Sequence, residues 1–117
     1  MIVESVVALI MAATMLLSSA DPPADPGVAG RASWYDWRPR EAAAGPALRK
    51  MLGPNWRGKT VVVCQYVGRT CTRVKLTDWC QCYRGTARER IIDLDRRTFA
   101  LLALPSRGLV RVTVRLP

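Results

Sequence analysis

Residues 74–82, VKLTDWCQC, bring a carboxylate, an indole and two thiols together at Asp78, Trp79, Cys80 and Cys82. A carboxylate at a strand end has two ordinary uses. It can bond the N–H groups of a turn, or it can work as a general acid or base. A second acid, Asp93, stands between Ile92 and Leu94. Between apolar neighbours it reads as a structural acid paired with an arginine such as Arg90, or as a functional group. Asp95 opens a helical pattern and reads as its cap. The chain has no histidine. Its four cysteines, Cys64, Cys71, Cys80 and Cys82, all fall within residues 64–82. In an exported chain an even count reads as two disulfides. The rival is a four-thiolate zinc site, whose ligands are typically ~2–4 residues apart within each pair. The spacings here are C-x6-C and C-x-C, so no metal is expected, and nothing points to a cofactor.

Holding such groups takes a domain, and 117 residues suffice for one with a modest core. Lys and Arg number 18 against 9 Asp and Glu, a formal net charge of +9. Fifteen of the 18 cations are arginines, spread from Arg31 to Arg115. That spread makes a generally cationic surface rather than a basic tail. It suits anionic polymers: nucleic acid, a membrane surface, or a bacterial wall rich in phosphate and carboxylate. The bland alternative is a GC-rich gene that encodes Arg for Lys, with the charge only aiding solubility. No basic motif interleaved with aromatics marks a nucleic-acid site, so nucleic acid is not favoured.

Residues 5–20, SVVALIMAATMLLSSA, are almost wholly apolar. The run is short for a bilayer span, which takes ~20 residues. It fits the core of a secretory signal, with SSA as the cleavage site before Asp21. The MIVE start has an acid and no Lys or Arg, so an uncleaved anchor or a misplaced start codon is the alternative. No Cys follows the run, and lipid attachment there is not expected. Residues 1–20 are thus expected to be a signal peptide or apolar anchor. Residues 21–29 read as a Pro/Gly linker, and 30–117 as the folded domain. The expected product is a monomer, secreted or held in the cell envelope.

RASWYD (31–36) reads as a first strand. REAAAGPALRKMLG (40–53) allows one or two short helical turns, interrupted at Gly45 and Pro46. GKTVVVCQY (58–66) is β-branched and strand-like. TCTRVKLTD (70–78) alternates, with Cys71, Arg73 and Lys75 on one face and Thr72, Val74 and Leu76 on the other. Val67 and Gly68 between these runs predict a tight hairpin. RERIIDL (88–94) is a further strand, and DRRTFALLAL (95–104) a helix with Phe99, Leu102 and Ala103 on one face. GLVRVTVRL (108–116) is a closing strand with Val110, Val112, Val114 and Leu116 inward. No internal repeat is present. The pattern predicts a mainly β domain with one or two short helices, and closing the sheet into a small barrel removes its edges.

With a two-residue turn at Val67 and Gly68, Cys64 and Cys71 face each other across the hairpin. That register makes them a hydrogen-bonded pair, a less usual site for a bridge, and a slightly longer loop would change it. Cys80 lies roughly 20 Å further along at ~3.3 Å per residue. It would then pair with Cys82 or with nothing. Four cysteines allow three pairings, and the spacing leaves all of them open.

Four segments in order carry a resemblance: GRASWYD (30–36), VKLTD (74–78), RIIDLDRRTFALLA (90–103) and GLVRVTV (108–114). Together they resemble the rare-lipoprotein-A (RlpA)-like domain, a double-psi β-barrel shared with barwin, expansins and family 45 endoglucanases. The resemblance implies a six-stranded double-psi β-barrel that binds β-1,4-linked glycans in a surface groove. Bacterial members act on peptidoglycan, some as lytic transglycosylases. By this resemblance Asp78 matches the aspartate at a strand end, the proposed acid. Asp93 matches the second aspartate, which is essential in expansins and endoglucanases. Tyr35 matches an aromatic on the groove floor. Trp34, Trp37 and Trp79 are further candidates for stacking on sugar rings, as is Trp56, although aromatics near a chain start are more often core. The chain departs from the family in two places. Arg-Gly-Pro-Phe usually follows the first aspartate, where this chain has Trp79, Cys80, Gln81 and Cys82. The lytic members carry a His in a Thr-Ala-Ala-His segment, where this chain has AAAGPALRKML (42–52).

Cutting a glycosidic bond needs a protonated acid beside the leaving oxygen. Hydrolysis adds a second carboxylate, ~5–5.5 Å away for retention or ~6.5–9.5 Å for inversion. A lytic transglycosylase can use one acid/base, because the sugar's own hydroxyl attacks. An aspartate near its ordinary pKa of ~3.9 must be raised to act as the acid. Burial against an aromatic wall does this, and the arginine excess opposes it. The first reading is an exported domain that cuts wall glycan through Asp78 and Asp93. The second is a non-catalytic, expansin-like glycan binder, and the third a structural or virion-associated barrel.

Overall fold

The computed structural model describes residues 27–117. The apolar segment, its cleavage site and most of the expected linker lie outside the described residues. Strand β1 (Val28–Tyr35) is followed by β2 (Glu41–Ala44), helix α1 (Pro46–Leu52), β3 (Thr60–Gln65) and β4 (Cys71–Trp79). Then come β5 (Ile92–Asp95), α2 (Arg96–Leu102), a 3₁₀ turn (Pro105–Arg107) and β6 (Val110–Arg115). The six strands close into one barrel in the order β1-β5-β2-β4-β3-β6. β5 runs parallel to β1, and β4 parallel to β2. The other four neighbouring pairs are antiparallel. Every strand therefore has two partners, and the barrel has no open edge. Among the described residues no helix is long and apolar enough to cross a membrane.

Alternation along the strands builds the core. On β4, Thr72, Val74 and Leu76 are buried while Cys71, Arg73 and Lys75 are exposed. On β6, Val112 and Val114 are buried, but Leu116 lies beyond the strand and is exposed rather than inward. Phe99 of α2 and Leu48 of α1 join the same apolar cluster. Burying side chains of this size contributes about 1.5–3 kcal/mol each, which is what holds so short a set of strands together.

Residues 41–44 depart from the helical expectation. EAAA favours a helix locally, yet it forms β2, hydrogen-bonded to β4 on one side and β5 on the other. Ala42 and Ala44 point into the core at 0 % exposure. Two flanking strands pair with its backbone, which outweighs a propensity of a few tenths of a kcal/mol per residue. Helix α1 begins only after Gly45, with Pro46 in its first turn. A Cβ on Gly45 would lie 2.7 Å from the Arg90 carbonyl oxygen, and the Gly45 N–H donates to Ile91 O. Only glycine lets the chain pass that close.

The β3–β4 turn is longer than two residues. Gln65 N–H donates to Thr70 O at 2.9 Å, so residues 66–69 form the loop. Cys64 and Cys71 then become a non-hydrogen-bonded pair with Cα atoms 4.0 Å apart, and they are bridged. Cys80 and Cys82 form the second disulfide.

Asp95 ties α2 to the rest. Its Oδ2 accepts from Thr98 N–H at 3.2 Å, the helix cap expected from the sequence. Its Oδ1 accepts from Arg40 N–H at 3.2 Å, where Arg40 takes a left-handed φ of 58°. The carboxylate is 2 % exposed. Asp95→Ala removes the cap and strands a second donor, so urea titration should show a loss of about 1–3 kcal/mol. A loss below about 0.5 kcal/mol would mean that water replaces both bonds.

Candidate functional site

The outer face of β1, β5, β2 and β4 collects the polar side chains of interest. Ala32 of β1 and its partner Ile92 point into the core, so Ser33 and Asp93, paired in the same register, point out. Asp93 also pairs with Ala43 on β2, and Ala43 pairs with Asp78 on β4. Asp78, Ala43, Asp93 and Ser33 thus form one row across four strands.

Asp78 reaches that row through a bulge. Strict alternation from Thr72, Val74 and Leu76 would send it into the core. The register slips by one between Ala42, opposite Leu76, and Ala43, opposite Asp78, leaving Thr77 as the extra residue. One inserted residue swaps the faces, and Asp78 emerges on the outside. Thr77 is held from two sides. Its hydroxyl accepts from Trp37 Nε1 at 3.1 Å, and its carbonyl accepts from the Arg57 guanidinium.

Asp78 Oδ2 accepts from the Tyr35 hydroxyl at 3.1 Å, and its Oδ1 accepts from Trp79 N–H at 2.8 Å. The second bond is the local turn role considered for this residue, so that role and a place in the site coexist. Tyr35 stacks on Trp37, with ring centroids 5.6 Å apart and planes 13° from parallel. The Tyr35 hydroxyl is pushed well above its ordinary value, first by burial and then by the neighbouring Asp78 charge. It therefore stays protonated and remains the donor.

Asp93 Oδ1 accepts from Ser33 Oγ at 3.1 Å. Burial pushes its carboxyl above the ordinary carboxylate value; the Ser33 bond and the Arg90 charge oppose this, and the Asp78 charge adds to it. The structural pairing expected with Arg90 acts through charge alone. Arg90 lies over the Tyr83 ring at 4.3 Å, and its buried Nε and Nη1 have no hydrogen-bond partner.

Two strand spacings of about 4.8 Å separate β4 from β5 across β2, so the backbones at Asp78 and Asp93 stand roughly 10 Å apart. The Ala43 methyl is the only side chain between them in the row.

The remaining candidates lie elsewhere. Trp34 is on the opposite side of β1 from Tyr35, packed against the core, and its Nε1 donates to Pro105 O at 2.8 Å. Trp37 stands beside the row. Trp79, 49 % exposed, lies past its end with Arg49 over its ring at 5.2 Å. Trp56 is half-buried and carries Arg57 at 4.6 Å. Ser33 was not singled out from the sequence, although its two-residue spacing from Tyr35 places both on one face. Thr77 gave no signal, because a bulge appears only in the pairing of two strands. Among the described residues no cluster of three or more His, Cys, Asp or Glu side chains could hold a metal ion.

No protein-family model matches the chain, and no curated protein matches it. Solved structures do. One is the Streptomyces papain inhibitor, with 26 % identity and a TM-score of 0.56 over 81 % of this chain and 97 % of that one. Another is an aspartate-to-asparagine variant of a Clavibacter michiganensis expansin in complex with cellohexaose. It matches at 16 % identity and a TM-score of 0.54, over 74 % of this chain and 48 % of that one. This chain therefore spans about half the length of the expansin chain. The closed six-stranded barrel is the double-psi β-barrel of these proteins.

The raised Asp93 carboxyl has a consequence for stability. Between the ordinary value of 3.8 and the raised one, the folded chain keeps a proton that the unfolded chain releases. The stability this contributes is present below that window and is lost as pH rises through it. Asp93→Asn has no charge to bury. In urea titrations from about pH 3 to 7, the variant should gain on wild type as pH rises. A constant difference across that range would contradict the burial of a charged Asp93.

Proposed function

We propose that this double-psi β-barrel is an exported domain that holds a β-1,4-linked glycan, peptidoglycan in a bacterial wall, across the row of Asp78, Ala43, Asp93 and Ser33. The observation that carries this reading is the bulge at Thr77. It turns Asp78 out beside Tyr35 and Trp37 and into line with Asp93. Aromatic rings suit the apolar faces of sugars, and Tyr35 and Trp37 stand beside the two acids. The expansin solved with cellohexaose shares this fold. Two disulfides suit an oxidising compartment, as does the apolar run at 5–20.

In this reading the acid roles separate by environment. Asp93, raised by burial, keeps its proton to higher pH and is the donor to the glycosidic oxygen as the C–O bond breaks. Asp78, bonded by two donors, faces the positive charge that develops on the sugar ring. Either the sugar's own hydroxyl or a water then completes the exchange. The expectation from sequence put Asp78 first as the acid; the upward push of burial on the Asp93 carboxyl favours Asp93.

Zymography on purified sacculi tests the reading. Asp93→Asn should lower fragment release by about 100-fold or more, the usual weight of a general acid, and Asp78→Asn by at least about tenfold. Equal release by all three proteins would remove the catalytic claim. Retention on sacculi without released sugar, even by wild type, would leave a wall-binding module.

A second reading rests on the papain inhibitor, whose chain this protein matches over 97 % of its length. The loop between β4 and β5 is exposed over residues 83–88, stapled by the Cys80–Cys82 bridge, and bent by positive φ at Cys82 and Tyr83. A rigid protruding loop suits insertion into a protease cleft. Papain assayed with a tenfold excess of this protein would lose most of its activity under this reading. Full residual activity would dismiss it for papain.

A further inference from the structure

Past the Trp79 end of the row lies an open cleft of about 600 Å³, walled by Arg49, Lys50, Trp56 and Trp79. It adjoins the row directly. Trp79 follows Asp78 on β4, and Arg57 at the cleft's edge bonds the carbonyl of Thr77. The cleft's composition differs from that of the row. The row carries two acids, and the cleft carries cations beside two indoles.

Arg57 is engaged with the Thr77 carbonyl, but the cations that line the cleft, Arg49 and Lys50, form no ion pair among the described residues. Among the described residues no carboxylate lies within ion-pair distance of Arg49, Lys50 or Arg57. Arg49 and Arg57 instead lie over the Trp79 and Trp56 rings, at 5.2 and 4.6 Å. Stacking orients a guanidinium and reduces what it must lose on binding, while its N–H edge stays able to grip an anion bidentately. Arg49 and Lys50, two like charges lining one open cleft, repel each other, and an incoming anion relieves that repulsion. Indoles beside free cations fit a sugar ring that bears a negative charge.

We infer that this cleft is a subsite for an anionic group, a carboxylate or a phosphodiester, carried on the glycan that the row holds. The inference rests on the proposed glycan-binding reading and narrows it. The polymer is acidic, and it lies in one direction, with an anionic unit at the Arg49 end and an uncharged unit over Asp78 and Asp93. The reverse direction would set the polymer's charge against the two acids.

Calorimetric titration of the full chain tests this, with cellohexaose, a cellohexaose whose terminal unit alone is a glucuronic acid, and a cellohexaose with a single terminal methyl phosphodiester as probes. Salt is held at ~50 mM, where exposed charges are weakly screened. Wild type should bind one or both acidic hexamers at least about tenfold tighter than cellohexaose, and the two acidic arms identify the anion. The Arg49→Gln/Lys50→Gln double variant should fall to the neutral level while its cellohexaose affinity stays unchanged. Both positions are solvent-accessible, and an unchanged urea midpoint confirms that the variant folds. Tyr35→Ala, a row variant, should weaken all three hexamers alike. Equal wild-type affinity for the neutral and both acidic hexamers would overturn the inference and leave the glycan reading standing. So would an acidic preference that survives in the double variant. If no hexamer binds at all, both fall.

Discussion

Ala43 pairs with Asp93 on one side and Asp78 on the other, and the row of the candidate site exists because of that double pairing. β2 is four residues long and carries alanines at 42, 43 and 44. Backbone hydrogen bonds hold β4 and β5 to its two edges, while Ala42 and Ala44 fill the core. The bulge at Thr77 then adjusts the register so that an acid from β4 and an acid from β5 meet the same residue of β2. Gly45 completes the arrangement by letting β2 end against the backbone at residues 90 and 91.

The electrostatics follow from where each acid sits relative to water rather than from the net charge of +9. An arginine-rich chain would be expected to hold every carboxyl down. At Asp93 burial outweighs Arg90, because the guanidinium acts from a distance and the lost hydration acts at the carboxyl itself. Asp78 takes two hydrogen bonds, from the Tyr35 hydroxyl and from Trp79 N–H. The two acids of the row thus differ in their partners: one serine donor at Asp93, and a phenol and a backbone N–H at Asp78.

Small strands and two seven-residue helices leave little margin in the core, and local ties supplement it. The Cys64–Cys71 bridge closes the hairpin that leads into β4. The Cys80–Cys82 bridge lies just past Trp79, at the entry to the loop that returns to β5. Asp95 fixes α2 to the turn before β2. Each tie lies next to a strand that supplies the row, so fold stability and site geometry rest on the same segments.

Much of this was legible in the residues. Alternation placed Thr72, Val74 and Leu76 inward, because period-two burial is a local property of a strand. The Asp95 cap was legible too, since it involves only the next three residues. The ordered segments pointed to the double-psi barrel, and with it to Asp78 and Asp93. What no local pattern contains is the relation between strands distant in the chain. EAAA became a strand because two neighbours claimed its hydrogen bonds. The cysteine pairing depended on a loop two residues longer than the turn signal suggested. Trp34 and Tyr35, adjacent in sequence, went to opposite faces, and the barrel decided which of them stands beside Asp78. Above all, Asp78 carries an even number on an inward-facing run, and its alternation points into the core. Only the pairing of β4 with β2, where one residue is extra, turns it out to solvent.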